Sequence, residues 1–188
     1  MSLLNLAEWE SGVTTLGPGL RTVLWVQGCL QRCSECCSPE WQPLRPALLV
    51  EPAECARVIA TQSADGGLTI SGGEPMLQAA GLVELWRAVS SLRPDWTLLL
   101  FSGYDHEQLL EEGHPDKLAL LCSADAFIGG PYIAAMNKGA GLRGSINKEV
   151  WLPSYTRFTA EDAAAIANGP RSVQYRKRSD GILAVGVP

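Results

Sequence analysis

Apolar residues in this chain fall into two kinds of stretch that alternate. One kind is a short continuous run: Thr22-Val23-Leu24-Trp25-Val26, Gly66-Gly67-Leu68-Thr69-Ile70-Ser71, Trp96-Thr97-Leu98-Leu99-Leu100-Phe101 and Ala124-Asp125-Ala126-Phe127-Ile128. Such runs are too short for helices, are rich in branched or aromatic residues and are followed closely by glycine, which marks strands buried on both faces. The other kind has helical period. Residues 52–61 begin with proline at a first helical turn. Residues 77–92 carry Leu77, Leu82, Leu85, Trp86 and Val89 at helical spacing and are ended by Pro94. A third stretch holds Leu109 and Leu110, breaks near Gly113-His114-Pro115 and resumes through Leu118, Leu120 and Leu121.

The ends of the chain extend this pattern. Residues 3–9 read as a short strand, and Gly17-Pro18-Gly19 is a turn before the first core strand. Pro39, Pro43 and Pro46 keep helix out until about residue 52. Residues 131–147 read as a loop and Glu149-Val150-Trp151-Leu152 as a strand. Thr159 caps a helix with Asp162 three residues on, and Asn168-Gly169-Pro170 stops it. Ser172-Val173-Gln174-Tyr175 and Ile182-Leu183-Ala184-Val185 flank Asp180-Gly181 as a β-hairpin.

Strand–helix alternation predicts a parallel sheet with right-handed crossovers. About four βα units by residue 130 fit an α/β fold of the incomplete type, a partial (β/α) barrel with mostly parallel strands and a small C-terminal hairpin. With 188 residues, 46% hydrophobic and 19% charged, the chain suits one domain over residues 1–188. A net charge of −5 gives no electrostatic footprint for nucleic acid. No apolar run approaches the ~20 residues of a membrane span, and residues 1–6 lack the basic start of a signal peptide. Six cysteines without an export signal argue for a reducing cytoplasm and metal binding rather than disulfides.

Four of those six cysteines fall within Gly28-Cys29-Leu30-Gln31-Arg32-Cys33-Ser34-Glu35-Cys36-Cys37. Cys29, Cys33 and Cys36 have the spacing CxxxCxxC on a loop delivered by the first core strand. Soft thiolates suit an iron–sulfur cluster or zinc. Zinc needs a fourth ligand; Cys37 is adjacent to Cys36, while Cys122, His106 and His114 are distant in sequence. Three thiolates on a cubane leave one iron open. The next strand runs into Ser71-Gly72-Gly73-Glu74-Pro75. Ligands of α/β proteins bind at the carboxyl ends of parallel strands. There glycines allow close approach of backbone carbonyls, and Glu74 can accept hydrogen bonds from an ammonium group.

These two motifs, some forty residues apart, resemble those of the radical S-adenosylmethionine (SAM) enzymes. Residues 28–40, Gly-Cys-x-x-x-Cys-x-x-Cys-x-x-Pro-Glu, resemble the activating enzymes of anaerobic ribonucleotide reductase, and the likeness extends over residues 3–158. The resemblance implies a 4Fe-4S cluster on Cys29, Cys33 and Cys36, with the amino and carboxylate groups of SAM on the fourth iron. It assigns Gly72, Gly73 and Glu74 to the SAM amino group. By the same resemblance Ser102, in Ser102-Gly103-Tyr104, is expected to line the SAM site and Gly17-Pro18-Gly19 to wall it. Ser145 and Asn147, in Arg143-Gly144-Ser145-Ile146-Asn147-Lys148, hold its ribose hydroxyls or carboxylate. The resemblance places Cys37 beside the adenine. It also implies a flavodoxin or ferredoxin as electron donor, and an activase that makes a glycyl radical on a large partner protein. Modification of a peptide, nucleoside precursor or natural product is the second reading, and an iron–sulfur electron-transfer or sensing module the third. Four positions depart from the family's pattern: Glu35, Cys37, Gly129 in place of an aspartate, and Lys148 in place of a glutamine. The remaining candidates read as structural: Cys55 as a small buried hydrophobe, His106 and His114 as surface residues, and the tryptophans as core or site walls.

Overall fold

A computed structural model describes residues 3–179 and 181–187. Asp180, half of the expected hairpin turn, lies outside the described residues. The strands are β1 (Leu4–Val13), β2 (Arg21–Val26), β3 (Leu48–Val50), β4 (Gly67–Gly72), β5 (Thr97–Phe101), β6 (Ala126–Gly129), β7 (Glu149–Trp151), β8 (Val173–Lys177) and β9 (Ile182–Gly186). The helices are α1 (Pro52–Ala60), α2 (Ala79–Leu92), α3 (His106–Glu112), α4 (Pro115–Leu121) and α5 (Ala160–Asn168). Seven strands form one sheet in the order β3-β1-β2-β4-β5-β6-β7, and β8 pairs with β9. β2, β4, β5 and β6 run parallel, whereas β1 and β7 are antiparallel to their neighbours. The sheet does not close, as expected of an incomplete barrel. No described helix is long and apolar enough to cross a membrane.

Alternate residues of each central strand face two different cores. Leu24, Val26, Leu68, Ile70, Leu98, Leu100 and Phe127 pack under α1, α2 and α4, whose Ile59, Leu82, Leu85, Trp86, Val89, Leu120 and Leu121 are buried. On the other face Val23 and Trp25 meet Leu16 and Val185, while Leu99, Ala126 and Ile128 meet Phe158 and Ile166. Residues from 158 onward, α5 among them, therefore cover the face that α1, α2 and α4 leave bare.

The caps follow the sequence. Thr159 Oγ1 accepts from Asp162 N–H, and the Asp162 carboxylate accepts from Thr159 N–H. Asp105 and Gln108 form a second capping box, which the sequence reading missed. Leu77 is a correction. It lies in a 3-10 turn at Pro75–Gln78 ahead of α2 and is exposed, because the helical period starts at Ala79. β1 runs to Val13 rather than residue 9. Its polar outer positions are occupied: Glu8 and Glu10 meet Arg178, and Glu10 also meets Arg176 of β8. The edge strand β3 was not foreseen, its three residues being too few to show a period.

At the N-terminal end of the parallel strands one charge is buried. Arg21 is fully enclosed and uses its whole guanidinium. Nε donates to Thr69 Oγ1 (2.7 Å); Nη1 to the Pro18 and Gly66 carbonyls and Thr97 Oγ1; Nη2 to the Leu68 and Thr97 carbonyls (2.7 and 3.0 Å). Burial pulls its pKa down to about 9, against the raising influence of Asp125 and Asp162, so it stays charged at neutral pH. Arg21→Met leaves those buried acceptors unpaired. It is expected to lower the unfolding free energy by about 3 kcal/mol or more, read from urea unfolding of the metal-free protein. A loss under about 1 kcal/mol would show that water replaces the guanidinium.

Candidate functional site

The carboxyl ends of β2, β4, β5 and β6 stand side by side, and the loop after each lines one cavity. Cys29, Cys33, Cys36 and Cys37 come from the loop after β2, and Gly72, Gly73 and Glu74 from the end of β4. Ser102 and Gly103 follow β5; Gly130, Tyr132, Arg143, Gly144 and Lys148 follow β6. Leu16, Trp25, Trp41 and Phe101 form an apolar wall, and Gly186 and Val187 close it from the hairpin. The cavity, about 180 Å³, is smaller than grooves of about 460 and 500 Å³ elsewhere, so its chemistry rather than its size singles it out.

The cysteine loop is held in an unusual backbone path. Arg32 and Glu35 have φ of 48° and 58°, the left-handed region that non-glycine residues rarely adopt. Each immediately precedes a cavity-lining cysteine, where such strain commonly marks a functional site. Gly28 N–H donates to the Trp41 carbonyl (2.8 Å) and Cys29 N–H to that of Gln42 (2.9 Å), which pins the loop's two ends together. The Gln31 and Ser38 N–H groups point at the sulfurs of Cys29 and Cys36, each at 3.4 Å. Burial pushes the Cys29 thiol up, and the Gln31 N–H pulls it back.

The glycines of the β4 loop are required by close approach. A Cβ on Gly73 would lie 2.3 Å from the Gly28 oxygen, and one on Gly72, at φ 107°, 2.4 Å from the Val26 nitrogen. Gly73 N–H donates to the Val26 carbonyl (2.7 Å) and Glu74 N–H to that of Gly28 (2.8 Å). Glu74 itself is 1% exposed. Its Oε1 accepts from Met76 N–H (2.9 Å) and Ser102 Oγ (2.8 Å), and its Oε2 from Gly103 N–H (2.7 Å). Burial raises its pKa while those three donors lower it. A carboxylate has about four acceptor positions, so one remains for a ligand.

Not every expected residue reaches the cavity. Ser145 is buried behind it, with Oγ accepting from Ile133 N–H (3.2 Å), and Asn147 is spent on the Pro131 carbonyl (2.7 Å). Neither lines the cavity; Arg143, Gly144 and Lys148 of the same loop do. Gly17-Pro18-Gly19 sits at the opposite end of β2, beside Gly66 and Arg21, and only the preceding Leu16 reaches the wall. Gly129 has no room for a side chain: a Cβ would lie 2.3 Å from the buried Phe127 ring. His114 is exposed, and His106 stacks on Trp151 at 4.7 Å. Cys55 is only half-buried against the core, its thiol pushed up to about 11 by burial. The sequence reading missed Gly186 and Val187. The alternation of Leu183, Val185 and Val187 is the signal that one face of the hairpin is covered.

The family model of the "4Fe-4S single cluster domain" matches residues 15–151, a span containing every cavity loop except the hairpin. A pyruvate formate-lyase-activating enzyme of Staphylococcus epidermidis is 39% identical over 93 residues, covering 46% of this chain and 37% of that relative. The enzyme of that name from Staphylococcus aureus USA300 is 41% identical over 88 residues, covering 44% of this chain and 35% of the relative. The chain thus spans little more than a third of these relatives' length.

The donor set suits such a cluster. Three soft thiols face the cavity at the matching spacing, with backbone N–H groups aimed at two of the sulfurs. Among the described residues no three His, Cys, Asp or Glu side chains are grouped as ligands of a single metal ion. Gly73→Ala forces the β4 loop away from Gly28. It is expected to destabilise the cluster-free protein by about 1–3 kcal/mol in thermal melts, the usual cost of overpacking. An unchanged midpoint would show that the two loops do not depend on this contact.

Proposed function

The chain belongs to the 4Fe-4S single cluster domain family, within the radical SAM superfamily, and we propose that it is an activase that generates a glycyl radical on a partner protein. Its cofactors are a 4Fe-4S cluster and SAM. When bound, they would supply one-electron cleavage of SAM and, through it, hydrogen abstraction from a substrate.

The observation that carries the proposal is the meeting of Cys29, Cys33 and Cys36 with Gly72, Gly73 and Glu74 in one cavity at successive strand ends. In this reading Cys29, Cys33 and Cys36 would hold the cluster, and their count would leave a position for SAM. Glu74 offers its remaining acceptor position to the SAM ammonium, while the glycines keep the β4 loop against the cysteine loop. Ser102 fixes the carboxylate through its hydroxyl rather than touching SAM first. Trp25, Trp41 and Phe101 would exclude water from the cavity, and Cys37 would line the adenine side without binding iron. Ser145 and Asn147 brace the β6 loop. The electron arrives from a flavodoxin or ferredoxin in the cytoplasm.

Anaerobic reconstitution is expected to give about four irons per chain. Alanine at Cys29, Cys33 or Cys36 should abolish the cluster, whereas Cys37→Ala should keep it and still release 5′-deoxyadenosine under dithionite. Glu74→Gln should weaken SAM tenfold to a hundredfold, about 1.5–3 kcal/mol, because a charge-assisted contact is lost. Stoichiometric zinc without iron would refute the cluster assignment. Pyruvate formate-lyase and anaerobic ribonucleotide reductase are the partners to test, by electron paramagnetic resonance of the glycyl radical. SAM cleavage without a radical on either would favour a smaller substrate.

A further inference from the structure

Lys148 closes the β6 side of the cavity, and its ammonium takes no visible part in holding the fold together. Its stem lies against Gly130, where a Cβ would sit 3.5 Å from Lys148 Cα and 3.8 Å from its Cγ. Among the described residues its ammonium has no hydrogen bond or ion pair; only its backbone N–H is engaged, with the Ser145 carbonyl (3.1 Å). The groups acting on its charge are Glu74, Cys33, Cys37 and Cys36, in falling order, and they oppose the burial that lowers its pKa. Arg143, on the same loop and the same wall, has a buried Nε with no partner among the described residues. Lys148 is half-buried, and withdrawing even part of a charge from water without a partner is costly. A group kept that way serves something other than the fold.

We propose that Lys148 sets the reduction potential of the cluster, its positive charge favouring the reduced form across the cavity from the cysteine loop. This rests on the reading that Cys29, Cys33 and Cys36 hold a 4Fe-4S cluster. On reduction the cluster takes one electron from an external donor and gains one unit of negative charge. No bond is made or broken at Lys148. An ammonium has no lone pair to offer iron, so its action is electrostatic. Inside a partly enclosed site that interaction escapes most of the salt screening felt at a surface.

The test compares reconstituted wild type, Lys148→Gln, Lys148→Met and Lys148→Arg without SAM. Each is titrated anaerobically with dithionite and mediators, and the reduced cluster is read by electron paramagnetic resonance. All four are expected to hold the same iron. At a fixed applied potential the reduced-to-oxidised ratio should fall at least tenfold in the Gln and Met variants. For a one-electron couple that is about 59 mV. Lys148→Arg should recover the wild-type ratio. An unmoved ratio in Gln and Met, or an Arg variant displaced as far as Met, would overturn the inference, as would loss of iron in Gln and Met. Wild type without iron would instead overturn the cluster reading, and its iron content and absorbance alone distinguish that case.

Discussion

The upper half of this structure depends on one buried carboxylate. Glu74 sits at the end of β4 and gathers the Ser102 hydroxyl and Gly103 N–H from the end of β5, while its own N–H holds Gly28 at the end of β2. Three strand ends are thereby fixed relative to one another. A buried carboxylate without donors would be intolerable, and with three it becomes a rigid centre. The cysteine loop inherits that rigidity, since its first residue is pinned to the same point. Arg21 does the corresponding work at the other end of the same three strands, with Thr69, Thr97 and the Leu68 carbonyl. The two charges do not pair with each other. Val23 and Leu99 lie in the apolar layer between the two ends, and each charge is satisfied within its own layer.

An open sheet needs something to cover its second face, and here residues after 158 do so. Leu183, Val185 and Val187 of the hairpin turn toward Leu16, Trp25 and Phe101. Arg178 reaches Glu10 (2.6 Å) and the Trp9 carbonyl, and Arg176 reaches Glu10 (3.5 Å). Those arginines are about a third exposed, so each pair contributes at most about 1 kcal/mol. The apolar face carries more, at roughly 1.5–3 kcal/mol for each side chain fully buried. The same contact brings Gly186 and Val187 to the cavity, so covering the sheet and shaping the site are one packing event.

The four parallel strands and their helices were legible because burial on both faces leaves unbroken apolar runs, and helices leave a period. The thiol loop and Gly72-Gly73-Glu74 were legible as motifs, and strand order explains why they share a cavity. Three kinds of feature were not legible. β3 is too short for any period. Leu77 carries a helical residue's chemistry in a 3-10 turn. The hairpin's meeting with β1 is fixed by residues some 160 positions apart, and spacing carries no information about such pairings. Ser145 and Asn147 lie on the loop whose Arg143, Gly144 and Lys148 line the cavity, yet only the fold could say which side chains of a loop turn inward.

The residues that turn inward change the charge of one corner. Where the resemblance expects an aspartate after β6 the chain has Gly129, and the Phe127 ring leaves no space for any side chain there. Where it expects a neutral glutamine the chain has Lys148, whose stem runs along the neighbouring Gly130. One departure removes a negative charge and the other adds a positive one, a change of two units in the same direction where the end of β6 meets the start of β7. A positive charge at that corner, on the wall that carries the cysteines and the buried Glu74, would favour a centre that gains negative charge.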